Sequence, residues 1–368
     1  RSKVTSTCSK QCRPSEPLQA PDFIPNGDVS TSDAMEARQQ PLWRVILAGL
    51  IGNVMEWYDF ALYGYFVVVF SEQFFPSTDP NASLIAAFGA FAAGFLVRPL
   101  GGVVLGRIGD RVGRPQALTI SVMAMAMATV LMAILPTYQQ VGLWAPAALV
   151  PLTGFASDTP ATAASRPLQA LSRRSGAVLW VLLLNVASSV AFYTAFVYVI
   201  SYIQTESGQS ESLALGLISR VMGLLLIFYP IAAWISDRLG RRPLLITGSL
   251  FLVLAGLPIF QLLRSGNPTL ITRGEILLML AVALLAGAKN PANVELMPQA
   301  VRCTGLALAF NIAEGYFGGT TPLIASWLVS SSGNPLMPGY WVAVAGAITL
   351  ITAVWFTPES CRLPLQRL

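Results

Sequence analysis

The sequence is dominated by apolar runs long enough to carry a helix across a bilayer core of about 30 Å. They extend over Arg44–Phe70, Ser83–Leu105, Gln116–Leu135, Ala177–Ile203, Ser212–Ile235, Leu244–Leu263, Glu275–Met297, Thr304–Val329 and Tyr340–Phe356. An isolated strand in lipid leaves its backbone N–H and C=O groups unsatisfied, whereas a helix satisfies them internally, so each run is expected to be a helix. A tenth run, Val141–Phe155, is short and contains Pro146 and Pro151, so on length alone it also fits a re-entrant or interfacial segment. Charged residues make up 11% of the chain, against about 25% in soluble domains. The expected class is therefore an all-α integral membrane protein.

The 23 basic residues sit in short clusters between the runs and form no basic domain, which argues against a nucleic-acid partner. Such clustering is what the positive-inside rule produces. Arg107, Arg111 and Arg114 follow the second run, and Arg238, Arg241 and Arg242 follow the fifth confident one, so both clusters are expected to be cytoplasmic. With the chain starting inside, the segment carrying Arg166, Arg173 and Arg174 is also inside only if Val141–Phe155 crosses, as a tilted or locally thinned span. The count is then about ten spans with both termini cytoplasmic, and Arg264 and Arg273 are the exceptions to the rule.

Residues 1–40, rich in Ser, Thr, Pro and Gln, read as disordered and lack the pattern of a signal peptide. Met35 is a candidate start. The chain has no histidine, which removes Ser-His-Asp systems, His-ligated metals and His proton relays. Any proton must therefore travel on carboxylates. Four cysteines make neither a disulfide framework nor a zinc knuckle, so no metal and no cofactor beyond a coupling proton is expected.

Self-comparison finds GRIGDRVGRP at Gly106–Pro115 and ISDRLGRRP at Ile235–Pro243, each expected in a tight cytoplasmic turn between two spans. Gly106, Asp110, Arg111, Gly113 and Arg114 in the first copy, and Asp237, Arg238, Gly240 and Arg241 in the second, are candidate gating residues. Their alternating signs suit ion pairs that form and break as two bundles rock; topogenic charges with no switching role are the other reading. Four spans follow the second copy, but only the Gln116–Leu135 run and the short run follow the first. Symmetry thus predicts that the first half is about two helices short.

These two loops resemble the cytoplasmic signature of the major facilitator superfamily and its relic. GNVMEWYDFALYG at Gly52–Gly64, FAAGFLVRPLGG at Phe91–Gly102, VELMPQAVRCTG at Val294–Gly305 and FNIAEGYFGGTTP at Phe310–Pro322 resemble, in family order, its metabolite:proton symporter family. The resemblance implies two six-helix bundles around a central site that opens alternately to either face. It also locates the deficit, because Gly154-Phe155 runs almost directly into Ser157-Asp158-Thr159-Pro160, which resembles the segment after helix six. The N-terminal bundle is thus expected to be incomplete, lacking most of helix four and all of helices five and six. The expected organisation is a disordered segment over 1–40, a truncated bundle over 41–156, a cytoplasmic linker over 157–176, a six-helix bundle over 177–358 and a tail over 359–368.

An ionised side chain at mid-membrane costs about 2.5–3.5 kcal/mol on an insertion scale, so each one needs a reason. Glu56 and Asp59, spaced i,i+3, share a small and polar face with Gly49, Gly52, Asn53 and Tyr63. That face is expected to look into the bundle. Glu56 or Asp59 is the first candidate for the coupling proton, while tying helices together or pairing with Arg98 is the alternative. Glu314, on one face with Asn311 and Gly318, is a further proton candidate or a partner for Lys289. Arg220 and Lys289 are candidates to hold a substrate carboxylate, with snorkelling to an interface as the alternative for Arg220. Asn53, Tyr63, Arg98 and Asn311 complete the candidate substrate set. Glu295 is a further in-membrane charge, and Gly315, Gly318 and Gly319 are expected to permit close helix contact.

The resulting expectation is proton-coupled symport by a monomer in the bacterial inner membrane, and no enzyme. By resemblance, the substrate is a small organic acid such as citrate or a dicarboxylate, or a zwitterionic osmolyte such as proline or betaine. The stretch from TPLIASWLV to NPLMPGYW is closer to the osmolyte members. The competing expectation is a deletion product that inserts without transporting.

Overall fold

A computed structural model of the chain describes residues 62–112, 114–156, 175–297 and 302–359, all within one compact unit, Ile51–Leu368. Among them, all regular structure is helical. Helix α1 covers residues 62–74, followed by α2 (Pro80–Val112), α3 (Arg114–Ala133), a single turn at Tyr138–Val141 and α4 (Trp144–Ala156). After residues 157–174, α5 (Ser175–Tyr193) passes through a π-helical turn, Thr194–Tyr198, into α6 (Val199–Ser207). Then come α7 (Glu211–Leu239), α8 (Arg241–Leu263), α9 (Pro268–Leu296) and α10 (Arg302–Ile312), a second π turn at Ala313–Gly318, α11 (Thr321–Ser332) and α12 (Met337–Trp355).

Among the described residues, five helices are long and apolar enough to cross a membrane: Gly176–Ser207, Glu211–Leu239, Arg241–Leu263, Pro268–Leu296 and Met337–Trp355. The expected single span Thr304–Val329 is instead divided between α10, the π turn and α11. The expected short run is helical over the 13 residues of α4, about 20 Å at about 1.5 Å per residue.

The charged repeats were expected in turns, but they are almost wholly helical. Asp237 and Arg238 complete α7, Arg241 opens α8, and Gly240 alone makes the break, at φ 111°, a conformation that L side chains rarely adopt. In the first copy Gly106, Asp110 and Arg111 belong to α2 and Arg114 opens α3, while Gly113 lies outside the described residues. In both copies one helix ends and the next begins within the motif, at Val112 and Arg114 in the first and at Leu239 and Arg241 in the second. Charge alternation cannot reveal this, because Asp and Arg are tolerated in the last turn of a helix.

Aromatic side chains hold the first helices to the rest. Tyr63 stacks on Phe91 at 4.9 Å, Phe91 meets Phe95 at 4.8 Å, and Phe95 meets Tyr193 edge-on at 5.4 Å. The second π turn completes the contact as the glycine pattern predicts. A Cβ on Gly315 would lie 3.2 Å from the Phe95 carbonyl oxygen, and one on Gly318 would lie 2.6 Å from the Tyr193 ring. Each π turn shifts the hydrogen-bond ladder by one residue, and neighbouring hydroxyls take up backbone carbonyls there. Thr194 Oγ1 donates to Val190 O at 2.7 Å and Thr321 Oγ1 donates to Phe317 O at 2.5 Å. α5 is also opened from outside. Thr349 of α12 accepts from Ala187 N at 3.0 Å and donates to Leu183 O at 2.8 Å, so its hydroxyl stands in the α5 ladder.

Candidate substrate and coupling site

Lys289 of α9 and Glu314 of the second π turn form an ion pair, Nζ to Oε1 at 3.1 Å, with exposures of only 6% and 4%. The pairing of Lys289 with Glu314 was one of two roles open to that carboxylate. The Lys289 ammonium also lies 5.6 Å from the centre of the Phe310 ring, one turn before Glu314. Among the described residues the second carboxylate oxygen, Oε2, has no donor. Asn311, half-buried, stands three residues before Glu314 on the same run of helix.

One turn past Lys289, Asn293 exchanges two amide hydrogen bonds with Asn185 of α5, each 3.1 Å. Asn185 donates additionally to Val181 O at 2.6 Å. Both residues are buried, and Ser189, one turn along α5, has a buried hydroxyl with no partner among the described residues. The result is a polar cluster on α5, α9 and the second π turn inside an otherwise apolar bundle. Buried polar groups must be paired, and here a cation–anion pair and an amide pair do so with two hydrogen-bonding atoms left over, Glu314 Oε2 and Ser189 Oγ. Chemically, Lys289 can hold a carboxylate and Glu314 can hold an ammonium group or a proton.

The other candidates stand elsewhere. The Tyr63 hydroxyl donates to Ala87 O at 2.8 Å, which makes it a strut between α1 and α2. Arg220 is exposed on α7 and donates from Nε to Gly216 O at 2.8 Å, with no bond to Lys289 or Glu314. Tyr65 bridges α1 and α7 beside it, through Ser219 Oγ at 3.5 Å and Met222 Sδ at 3.7 Å. Glu56, Asp59 and Asn53 lie outside the described residues, as does the side chain of Arg98, which belongs to α2.

The second charged repeat builds a network. Arg241 pairs with Asp237 and, through Nη2, with Glu295 Oε1 at 3.3 Å; its Nη1 donates to Ser236 Oγ at 3.1 Å. Arg238 stacks over the Trp234 ring at 3.9 Å. The start of α8 is capped from the far end of the chain, because the Arg241 and Arg242 backbone N–H groups donate to Glu359 Oε1 at 2.9 Å and Oε2 at 3.2 Å. Glu359 had been assigned to a tail, and no spacing connects it to residue 241. Asn185, Asn293 and Phe310 were missed for a related reason, since a lone Asn or Phe in an apolar run carries no periodic signal.

The chain matches the sugar (and other) transporter family over residues 45–149 and 158–368. It is 28% identical over 429 aligned positions to a glycine betaine/proline/ectoine/pipecolic acid transporter of Dickeya dadantii, covering 88% of this chain and 85% of that protein. It is also 28% identical to a citrate-proton symporter of Klebsiella pneumoniae, covering 86% and 92%, and to a shikimate transporter of Escherichia coli, covering 82% and 90%. Its fold is similar to a crystal structure of a D-xylose-proton symporter, with a TM-score of 0.66 at 15% identity, covering 88% of this chain and 99% of that one. The chain therefore belongs to the sugar (and other) transporter family, within the major facilitator superfamily.

Proposed function

We propose that the chain is a proton-coupled secondary transporter that takes up a small zwitterionic osmolyte of the proline or betaine kind. The observation that carries this is the buried Lys289–Glu314 pair beside Phe310. A zwitterion can enter such a site with its carboxylate on Lys289 and its ammonium on Glu314 and the aromatic face, leaving the local charge unchanged. A citrate or dicarboxylate ion would instead add uncompensated negative charge in low dielectric, which is costly. The betaine and proline transport of the Dickeya dadantii relative supports the same choice. The protein works as a monomer in the inner membrane with both termini cytoplasmic, and a coupling proton rides on Glu56, Asp59 or Glu314. The Gly240 network is its gate on the cytoplasmic side.

The decisive experiment is uptake of radiolabelled glycine betaine and proline into proteoliposomes under an imposed proton gradient, with citrate and shikimate alongside. Uptake of the zwitterions supports the reading, uptake of the acids alone refutes the substrate class, and uptake of none refutes transport.

A second reading, a membrane-inserted but inactive deletion product, has its own support. The family match is interrupted between residues 149 and 158, and the alignment with the Dickeya dadantii protein spans 429 positions against 368 residues here, so stretches of that relative have no counterpart. Only 22% of the apolar window of α7 is buried, against 61% for α9, which fits a face left bare by absent helices.

A further inference from the structure

Glu275 is the eighth residue of α9. It is fully buried, and among the described residues neither carboxyl oxygen meets a hydrogen-bond donor. Helical spacing puts it on one stripe of α9 with Val282, Lys289 and Asn293, at intervals of seven, seven and four residues. Along the axis it lies roughly 20 Å from Lys289, at about 1.5 Å per residue, and about two turns in from the exposed loop around Gly266.

The elements packed against α9 are α5, the first π turn, α7, α8 and α10. They carry Tyr193, Tyr198, Glu211, Arg220, Tyr229 and, just past α8, Arg264, while Arg273 precedes Glu275 on α9 itself. None of them donates to Glu275 or pairs with it. The other charged side chains described on these elements are Lys289, paired with Glu314, and Asp237, Arg238, Arg241, Arg242 and Glu295 around the Gly240 break. A carboxylate with no donor and no counter-ion in an apolar core is unfavourable, and such a group takes up a proton instead.

We propose that Glu275 carries a proton as a neutral carboxylic acid and is a proton-binding site of the C-terminal bundle, separate from the Lys289–Glu314 pair and loaded from the opposite end of α9. The step is an acid dissociation. When the bundle opens and water reaches Glu275, the O–H bond breaks, the proton passes to water and a carboxylate remains; closure requires its return. The cargo at Lys289 and the proton at Glu275 then occupy one helix, so tilting of α9 exposes both.

Difference infrared spectroscopy on the full-length protein in lipid tests the protonation without any transport assay. The protonated-carboxyl band of the wild type is expected to shift in D2O and to be missing in Glu275→Gln. Loss of ionised-carboxylate bands in that variant, or a band that never exchanges, overturns the proposal. The transport arm rests on the transporter reading. With radiolabelled glycine betaine, Glu275→Gln is expected to keep exchange between the two sides but to lose accumulation above the external concentration, whereas wild-type accumulation by the variant overturns the coupling role. A wild type that moves no betaine refutes the zwitterion reading of the substrate, and the infrared result still decides the protonation.

Discussion

Glu359, beyond the last helix, accepts the backbone N–H of Arg241 at 2.9 Å, across 118 residues of sequence. Its other oxygen takes the Arg242 N–H, so one carboxylate satisfies two of the donors that open α8 and sets a negative charge at the positive end of that helix. The chain end after α12 is thereby tied to the charged repeat, next to the Arg241–Asp237–Glu295 network.

Glu359→Ala should therefore act as the loss of a helix cap. The expected destabilisation is about 1–2 kcal/mol, seen as a lower thermal midpoint in detergent, with Glu359→Gln losing less because it can still accept one bond. A midpoint equal to wild type in Glu359→Ala would contradict the capping role.

Thr349 makes a bridge inside α5, accepting from Ala187 N and donating to Leu183 O. Thr349→Val removes both bonds while keeping the shape. The expected cost is about 1–3 kcal/mol unless α5 closes its own ladder, and Thr349→Ser should stay near wild type. Denaturant unfolding of the two variants in parallel distinguishes a bridge from simple packing.

The Lys289–Glu314 pair predicts a non-additive cycle. Lys289→Met alone strands a buried carboxylate and should cost about 3–5 kcal/mol, as should Glu314→Gln by stranding the ammonium. The double variant should be markedly more stable than the sum of the two predicts, yet bind no betaine. Additive losses in a thermal-shift cycle would mean that the two groups do not face each other.

Asn185 and Asn293 should behave alike without charge. Asn185→Leu leaves the Asn293 amide unpaired in the core, at about 1–3 kcal/mol, and adding Asn293→Leu should recover part of the loss. Amide hydrogen exchange along α5 offers the readout, since faster exchange around residue 185 in the single variant should slow again in the double.

Much of the helical content was legible, for a direct reason. In lipid a chain must satisfy every backbone group locally, so an apolar run of about twenty residues has one outcome. Ala177–Ile203, for example, lies wholly within Gly176–Ser207. The same logic stops at the helix ends, where charged residues in lipid-facing and water-facing turns look alike; hence the second repeat read as a turn and proved to be two helices broken at Gly240. It also misses π turns, because an extra residue in a turn leaves no mark on hydropathy. Ala313–Gly318 was read as part of one unbroken span.

The sequence by itself determined the solvent, the helical class and the repeat. It also named Lys289 and Glu314, because charges at membrane depth are costly enough to be conspicuous one at a time. Only the tertiary structure decided which of those charges meet. It seated Lys289 against Glu314, left Arg220 on an exposed face, brought Glu359 to Arg241 and left Glu275 without a donor. Pairing depends on how helices dozens of residues apart are rotated and stacked, and that rotation is set by aromatic and glycine contacts that hydropathy and periodicity do not encode.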